Sequence, residues 1–278
     1  MILKSFSKIN LSLKINKKLK TGLHEIQSHF CLIDLFDKIK IEKIKAHKDV
    51  IKFKGYFSKY INSKKNTISD TLSVLRKYNV ITNYYSVTIY KTIPVFAGLG
   101  GGTGNAACLI KYFIKKDINK KLLDILEKKI GSDFKLFFHQ QGFLKSLKTV
   151  KNLKKKYRLY FLLINPNIRS STKYVYSKIT KYSAKKKYIF NQINSKKKFI
   201  TSLKSANNNL QSIVENKHPI IKKLLKEIEE KKGCYFSRIT GSGSVCYGIF
   251  KSESTAKQAL GRIKSKYSKF WFSIAKTI

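Results

Sequence analysis

The chain has 278 residues, a formal net charge of +44 and a hydrophobic fraction of 42%. That size and apolar content suit a globular protein with a substantial core and exclude a disordered chain. No apolar run is long enough to span a bilayer, and MILKSFSKINLSLKI has no unbroken apolar stretch or small-residue cleavage site of a secretion signal.

Ile9, Leu11, Leu13 and Ile15 alternate with Lys8, Asn10, Ser12 and Lys14. This period of two predicts a half-buried strand with Lys8 and Asn10 on one face. HEIQSHFCLIDLFDKIKIEKI predicts more strand, and NTISDTLSVLRKY predicts a helix on Ile68, Leu72, Val74 and Leu75. YYSVTIYKTI reads as a strand that runs into Pro94 and AGLGGGTGNAA, where Gly98, Gly100, Gly101, Gly102 and Gly104 leave almost bare backbone. Ala106, Ala107, Leu109, Ile110, Phe113 and Ile114 then follow a helical stripe.

KLLDILEKKIG predicts a helix closed by Gly131. RLYFLLINP is a buried strand that opens a second half. That half is expected to hold helices near NNNLQSIVE and HPIIKKLLKEIEEKKG, a strand pair around CYFSRITGSGSVCYGIF, the helix STAKQALGRIKSKY and a last strand, FWFSIAKTI.

A glycine-rich turn feeding a helix aims several backbone N–H groups at one place, and the helix dipole adds partial positive charge there. Such a place binds phosphate. The run is neither GxxxxGK[ST] nor GxGxxG at the required spacing, so a different class of cradle is expected. Phosphoryl transfer to an alcohol also needs a base and local positive charge.

PVFAGLGGGTGNAA resembles the P-x-x-x-G-L-G-G-G-S-S-N-A-A loop of the GHMP kinases. SFSKINLSLKI, TGLHEIQSHFCLIDLFDKI, IGSDFKLFF, NPNIRSSTKYVY, NNNLQSIVENKHPII and RITGSGSVCYGIF resemble other motifs of that family, in order, over nearly the whole chain. Within it they are similar to the kinases that act on a cytidine diphosphate derivative of methylerythritol in non-mevalonate isoprenoid synthesis. The resemblance implies an α+β, two-part fold. Residues 1–155 would form an N-terminal ATP-binding and catalytic domain, like ribosomal protein S5, and 156–278 a ferredoxin-like, substrate-side domain. It implies ATP and Mg²⁺, with Lys8 and Asp133 as catalytic residues.

ATP would lie on Pro94, Val95, Phe96, Ala97, Gly98, Leu99, Gly100, Gly101, Gly102, Thr103 and Gly104, with Asn66 at the adenine end and the Thr103 hydroxyl toward the metal. Asn10, Leu23, His24 and Tyr176 would bind substrate. The sequence departs from the pattern at four places, one of them QGFLKSLKTV, where the family's G-x-G-E segment is not recognisable. Leu23 stands where an aromatic partner of the cytosine ring is expected, Gly104 replaces the second serine of the loop, and Phe134-Lys135 follow Asp133 where the family has Val-Pro.

The basic excess has two readings. One is nucleic-acid or anionic-membrane binding. The other is a genome effect, because Lys, Asn, Ile, Tyr and Phe share A/T-rich codons and the only arginines are Arg76, Arg158, Arg169, Arg238 and Arg262. On the second reading, runs such as KNLKKKYR and SAKKKYIF are solvated. Cys31, Cys108, Cys234 and Cys246 make no CxxC pair, so free thiols in the cytoplasm are expected. The histidines show no metal-ligand spacing. The expected protein is a monomer or homodimer with a small-molecule substrate and no nucleic-acid or membrane partner. A GHMP kinase for another small alcohol, or a basic nucleic-acid-binding protein on a retired kinase scaffold, are the alternatives.

Overall fold

The computed structural model describes residues 1–115, 118–153, 155–185 and 193–278. The chain forms two compact units that interleave in sequence: 1–8, 35–95 and 100–138 in the first, 9–34, 96–99 and 139–278 in the second. The expected division at residue 155 is a division of the sequence, whereas the units exchange segments along it.

The strands are β1 (Ile2–Asn10), β2 (Lys14–Lys18), β3 (His24–Ile44), β4 (Val50–Lys54), β5 (Tyr84–Tyr90), β6 (Gln141–Ser146), β7 (Thr149–Asn152), β8 (Tyr160–Asn165), β9 (Cys234–Ile239), β10 (Cys246–Phe250) and β11 (Trp271–Lys276). In the first unit, β5 runs antiparallel to the end of β3, from Lys38 opposite Tyr90 to Ile44 opposite Tyr84, and parallel to β4. Three helices accompany these strands: α1 (Thr67–Lys77), α2 (Gly101–Phe113) and α3 (Lys120–Ile130), with α1 packed on both others. Asn66 and Ser69 make a reciprocal capping box at the start of α1, which buries Ile68, Leu72 and Leu75.

In the second unit, the beginning of β3 pairs with β2 and β6, and β6 pairs with β7. A separate antiparallel sheet has the order β11-β8-β10-β9. Counted within this half, that is strand order 4-1-3-2. Helices α4 (Thr172–Ser177), α5 (Lys196–Lys204), α6 (Gln211–Lys217) and α7 (Pro219–Glu229) fall between β8 and β9, and α8 (Glu253–Lys264) between β10 and β11. This is the ferredoxin-like arrangement. Phe161, Leu162, Leu163 and Ile164 of β8 are fully buried.

Three sequence expectations change. Residues 9–15 are not one strand: β1 ends at Asn10 and β2 starts at Lys14. The amides of Leu11 and Ser12 both turn to the His29 carbonyl, and Ser28 Oγ donates to the Ser12 carbonyl. The polar face of this stretch is also buried, because Lys8, Asn10 and Ser12 have partners inside the protein. A β6–β7 hairpin, unread in the sequence, occupies QGFLKSLKTV. The lysine runs are solvated where described: Lys151, Lys155, Lys156 and Lys185 are exposed, while Lys154 and residues 186–190 lie outside the described residues.

Candidate active site

The loop between β5 and α2 is shaped by two left-handed glycines. Gly98 has φ +77° and lies so close to the Thr240 backbone that a Cβ would land on that carbonyl oxygen. Gly100, at φ +68°, is the N-cap of α2. Pro94, Ala97 and Leu99 are buried and Val95 is half-buried. Phe96 is 57% exposed at φ +54°, with the Arg169 guanidinium 5.9 Å from its ring.

The first backbone bond of α2 runs from Gly104 N–H to the Gly100 carbonyl, at 2.8 Å. The amides of Gly101, Gly102 and Thr103 therefore precede the helical ladder. No acidic side chain lies in that first turn. Gly102 is exposed, and a Cβ there would meet only the Thr67 side chain, at 3.5 Å. Thr67 Oγ1 donates to the Gly102 carbonyl at 2.9 Å, so the start of α1 is fastened to the start of α2. The Thr67 contact has no sequence signal beyond its place after a helix cap. Asn66 itself caps α1: its Oδ1 accepts from the Ile68 and Ser69 amides, and its Nδ2 donates to the Asn62 and Ser63 carbonyls.

Lys8 Nζ is 3.1 Å from Asp133 Oδ2, with the lysine side chain 3% and the carboxylate 34% exposed. The stem of Lys8 runs against Gly100, where a Cβ would lie 3.3 Å from its Cε. Gly131, at φ +133°, ends α3, and a 3-10 turn over Phe134–Phe138 follows Asp133. Phe134, Leu136 and Phe137 are buried and anchor that turn. The Phe137 ring packs where side chains on Gly100 and Gly104 would stand, 2.8 Å from each added Cβ. Lys135, the added charge beside Asp133 in the sequence, pairs with Glu127 at 2.6 Å.

A cluster of rings lies in the second unit. The His24 ring centroid is 5.2 Å from that of Tyr176, tilted by 46°, and 6.4 Å from that of Tyr182, within 23° of parallel. Burial and then the Lys18 charge lower the His24 pKa, which favours the neutral imidazole. Leu23 and Tyr182 are both about half exposed. Tyr182 was not read from the sequence, because its segment has no periodicity. The chain beside it is fixed by four contacts: Ser183 N–H donates to the Ile15 carbonyl at 2.8 Å, Ser183 Oγ donates to Asn209 Oδ1 at 3.0 Å, Asn16 Nδ2 donates to the Ser183 carbonyl at 3.0 Å, and Lys185 pairs with Glu25 at 2.9 Å. Asn10 is buried; its Nδ2 donates to Ser28 Oγ at 2.8 Å and its backbone N–H to Thr240 Oγ1 at 3.0 Å.

Lys8, Gly100 and Asp133 thus come together, as do His24, Tyr176 and Tyr182. Among the described residues, no three His, Cys, Asp or Glu side chains gather into a metal-binding group.

Residues 193–269 match the family model described as GHMP kinases C terminal. The chain is 36% identical over 281 residues to the 4-diphosphocytidyl-2-C-methyl-D-erythritol kinase of Pelagibacter ubique (strain HTCC1062), covering 99% of this chain and 98% of the relative. It is 30% identical over 278 residues to the kinase of the same name from Wolbachia sp. subsp. Drosophila simulans (strain wRi), covering 96% and 95%. The crystal structure of a 4-(cytidine 5'-diphospho)-2C-methyl-D-erythritol kinase superposes with a TM-score of 0.74 at 19% identity, covering 99% of both chains. The mevalonate kinase of Methanococcus jannaschii superposes with a TM-score of 0.65 at 18% identity, covering 100% and 98%.

Proposed function

The chain belongs to the 4-diphosphocytidyl-2-C-methyl-D-erythritol kinases of the GHMP kinase family, and from that premise we propose that it moves the γ-phosphoryl group of ATP to the 2-hydroxyl of 4-diphosphocytidyl-2-C-methyl-D-erythritol. The observation that carries the reading is the Lys8–Asp133 pair beside the N-cap of α2.

Asp133 is the base. Its carboxylate is part-exposed, so an acceptor hydroxyl can reach it, and it takes the proton as the oxygen attacks phosphorus. Lys8 fixes the carboxylate and adds positive charge near the moving phosphoryl group. The amides of Gly101, Gly102 and Thr103 and the dipole of α2 hold the phosphates. This is how the cradle works without a lysine inside the glycine run: the cation comes from β1. Pro94 to Leu99 lead the backbone into that cradle, and Asn66 and Thr67 border it through α1.

Mg²⁺ carried on nucleotide phosphates keeps several waters and takes few protein ligands. The Thr103 hydroxyl in the first turn of α2 fits that role. The ion supplies charge neutralisation on the phosphate oxygens. Tyr176 and His24 bind the cytosine, with Asn10 and Leu23 on the substrate side.

We further propose residues 1–155 as the ATP-binding and catalytic domain and 156–278 as the substrate-side domain, and a cytoplasmic monomer or homodimer without a nucleic-acid partner. The free cysteines support a reducing compartment. No helix among the described residues is long and apolar enough to cross a membrane. The test is direct: incubate the protein with ATP, Mg²⁺ and the cytidyl alcohol. ADP and a product heavier by one phosphate are expected, and ATP turnover without that product would reject the acceptor.

A further inference from the structure

Beneath the glycine helix lies a buried charged group with no place in the chemistry above. Asp37 on β3 and Lys91 just after β5 are ion-paired and almost fully inaccessible. A buried charge is costly unless every lone pair and proton has a partner. Here the partners are specific. Asp37 Oδ1 accepts from the Thr92 amide at 2.8 Å and the Ile93 amide at 3.0 Å. Asp37 Oδ2 accepts from Lys91 Nζ and from Asn105 Nδ2, the latter at 3.0 Å. Asn105 Oδ1 accepts from Lys91 Nζ at 3.0 Å, and Asn105 Nδ2 also donates to Ser5 Oγ at 2.9 Å.

Each partner sits at a different edge of the cradle. Thr92 and Ile93 supply the last amides before Pro94, which has none to give. Asn105 is in the second turn of α2. Ser5 is on β1, three residues before Lys8. The first turn of α2 rests on the same ammonium, since a Cβ on Gly101 would lie 3.3 Å from Lys91 Nζ. Burial lowers the Lys91 pKa, and Asp37 opposes that shift. An apolar plug of equal volume would fill the space but would not fix the rotation of α2 about its axis. Directional hydrogen bonds do.

We infer that Asp37, Lys91 and Asn105 are positioning residues that hold the amides of Gly101 to Thr103 and the Lys8 strand in one register, so that three inaccessible side chains set the affinity for ATP. The inference rests on the reading of the glycine loop as the nucleotide cradle.

The experiment is titration of ATP with Mg²⁺ into purified variants by calorimetry, with thermal unfolding measured alongside. Asn105→Leu cuts the network away from α2 and β1. The double variant Asp37→Leu, Lys91→Met removes both charges together and leaves an apolar plug, an exchange that buried ion pairs often tolerate. Both are expected to weaken ATP binding about tenfold or more while the folded protein keeps its unfolding transition, because two or more hydrogen bonds are lost in each. The KM for the cytidyl alcohol should stay within about twofold in the folded fraction.

Ser5→Ala deletes one hydroxyl and serves where the larger changes unfold the chain. It should weaken ATP about threefold. A folded Asn105→Leu or double variant with unchanged ATP affinity overturns the inference, as does unchanged affinity in Ser5→Ala. The titration needs no alcohol, so a different acceptor shows up in turnover and a network without influence shows up in nucleotide affinity.

Discussion

Lys8 and Asp133 meet as an asymmetric pair: the ammonium is buried beneath the N-cap of α2, while a third of the carboxylate faces solvent, 3.1 Å away. This asymmetry supports the proposed division of roles, with the hidden lysine as the orienting group and the accessible carboxylate as the base. Asp133→Asn keeps the shape and removes the proposed base, so kcat should fall by roughly 10² or more while ATP affinity stays within about threefold. Lys8→Met should lower kcat as well and leave the protein folded, because water can reach the abandoned carboxylate. Steady-state ADP release with a parallel nucleotide titration decides it. An Asp133→Asn enzyme with kcat within about tenfold of the parent has its base elsewhere.

The glycines of the loop differ in their surroundings, and Gly102 stands apart from Gly98 and Gly101. A side chain at Gly98 would strike the Thr240 backbone, and one at Gly101 would press on Ile93 and Lys91. Substitution there tests folding. At Gly102 an added Cβ finds only ordinary contact with Thr67. Gly102→Val should therefore keep the melting temperature within a few degrees but weaken ATP about tenfold or more, because its methyl groups crowd the face the amides present. Unchanged ATP affinity in a Gly102→Val protein of parental stability would show that phosphate does not approach this turn.

Much of this site was legible because its signals are local. The glycine run, the helical stripe after it and Gly131 as a helix stop each depend on neighbouring residues. Lys8 carries no local mark among 59 basic residues, and only its motif singles it out. The alternation from Ile9 to Ile15 predicts a half-buried strand, but of its polar residues Lys8, Asn10 and Ser12 are buried with partners from Asp133, Ser28 and His29, and Lys14 is half-buried. Such long-range satisfaction leaves no period in the sequence. The β6–β7 hairpin is hidden for a related reason: β6 is buried on consecutive residues and β7 has no buried residue, so neither strand alternates. Tyr182 lies in a lysine-flanked segment and reaches His24 only through tertiary contacts.

The rings around His24 yield the next prediction. Tyr182 lies nearly parallel to the imidazole and Tyr176 lies tilted to it, whereas Leu23 offers an exposed aliphatic side chain. Stacking of a base on an aromatic ring is worth roughly 1–3 kcal/mol. Tyr182→Ala should raise the KM for the cytidyl alcohol about fivefold or more, and Leu23→Ala should change it less. Neither should alter ATP affinity, since a joint loss would report folding. A larger penalty for Leu23→Ala than for Tyr182→Ala would place the base away from these rings.

Acid sensitivity should come from His29, which lies outside the proposed chemistry. Its imidazole is buried, with Nδ1 2.9 Å from Ser12 Oγ, and burial, reinforced by the charges of Lys14 and Arg238, pushes its pKa from 6.5 down to about 3. Between those two values the unfolded chain takes up a proton that the folded chain refuses. Stability is thus complete above pH 6.5 and is lost as the pH falls toward 3, by at most ~1.4 kcal/mol per pH unit from this one residue. His29→Gln retains a polar partner for Ser12 and removes the titration. Urea unfolding at pH 7 and pH 5 should show the parent losing up to ~2 kcal/mol more than the variant over that interval. His24 and His218, whose pKa values are also lowered, titrate in both proteins and cancel in the difference. Equal losses in the two proteins would mean that His29 accepts its proton without unfolding the chain.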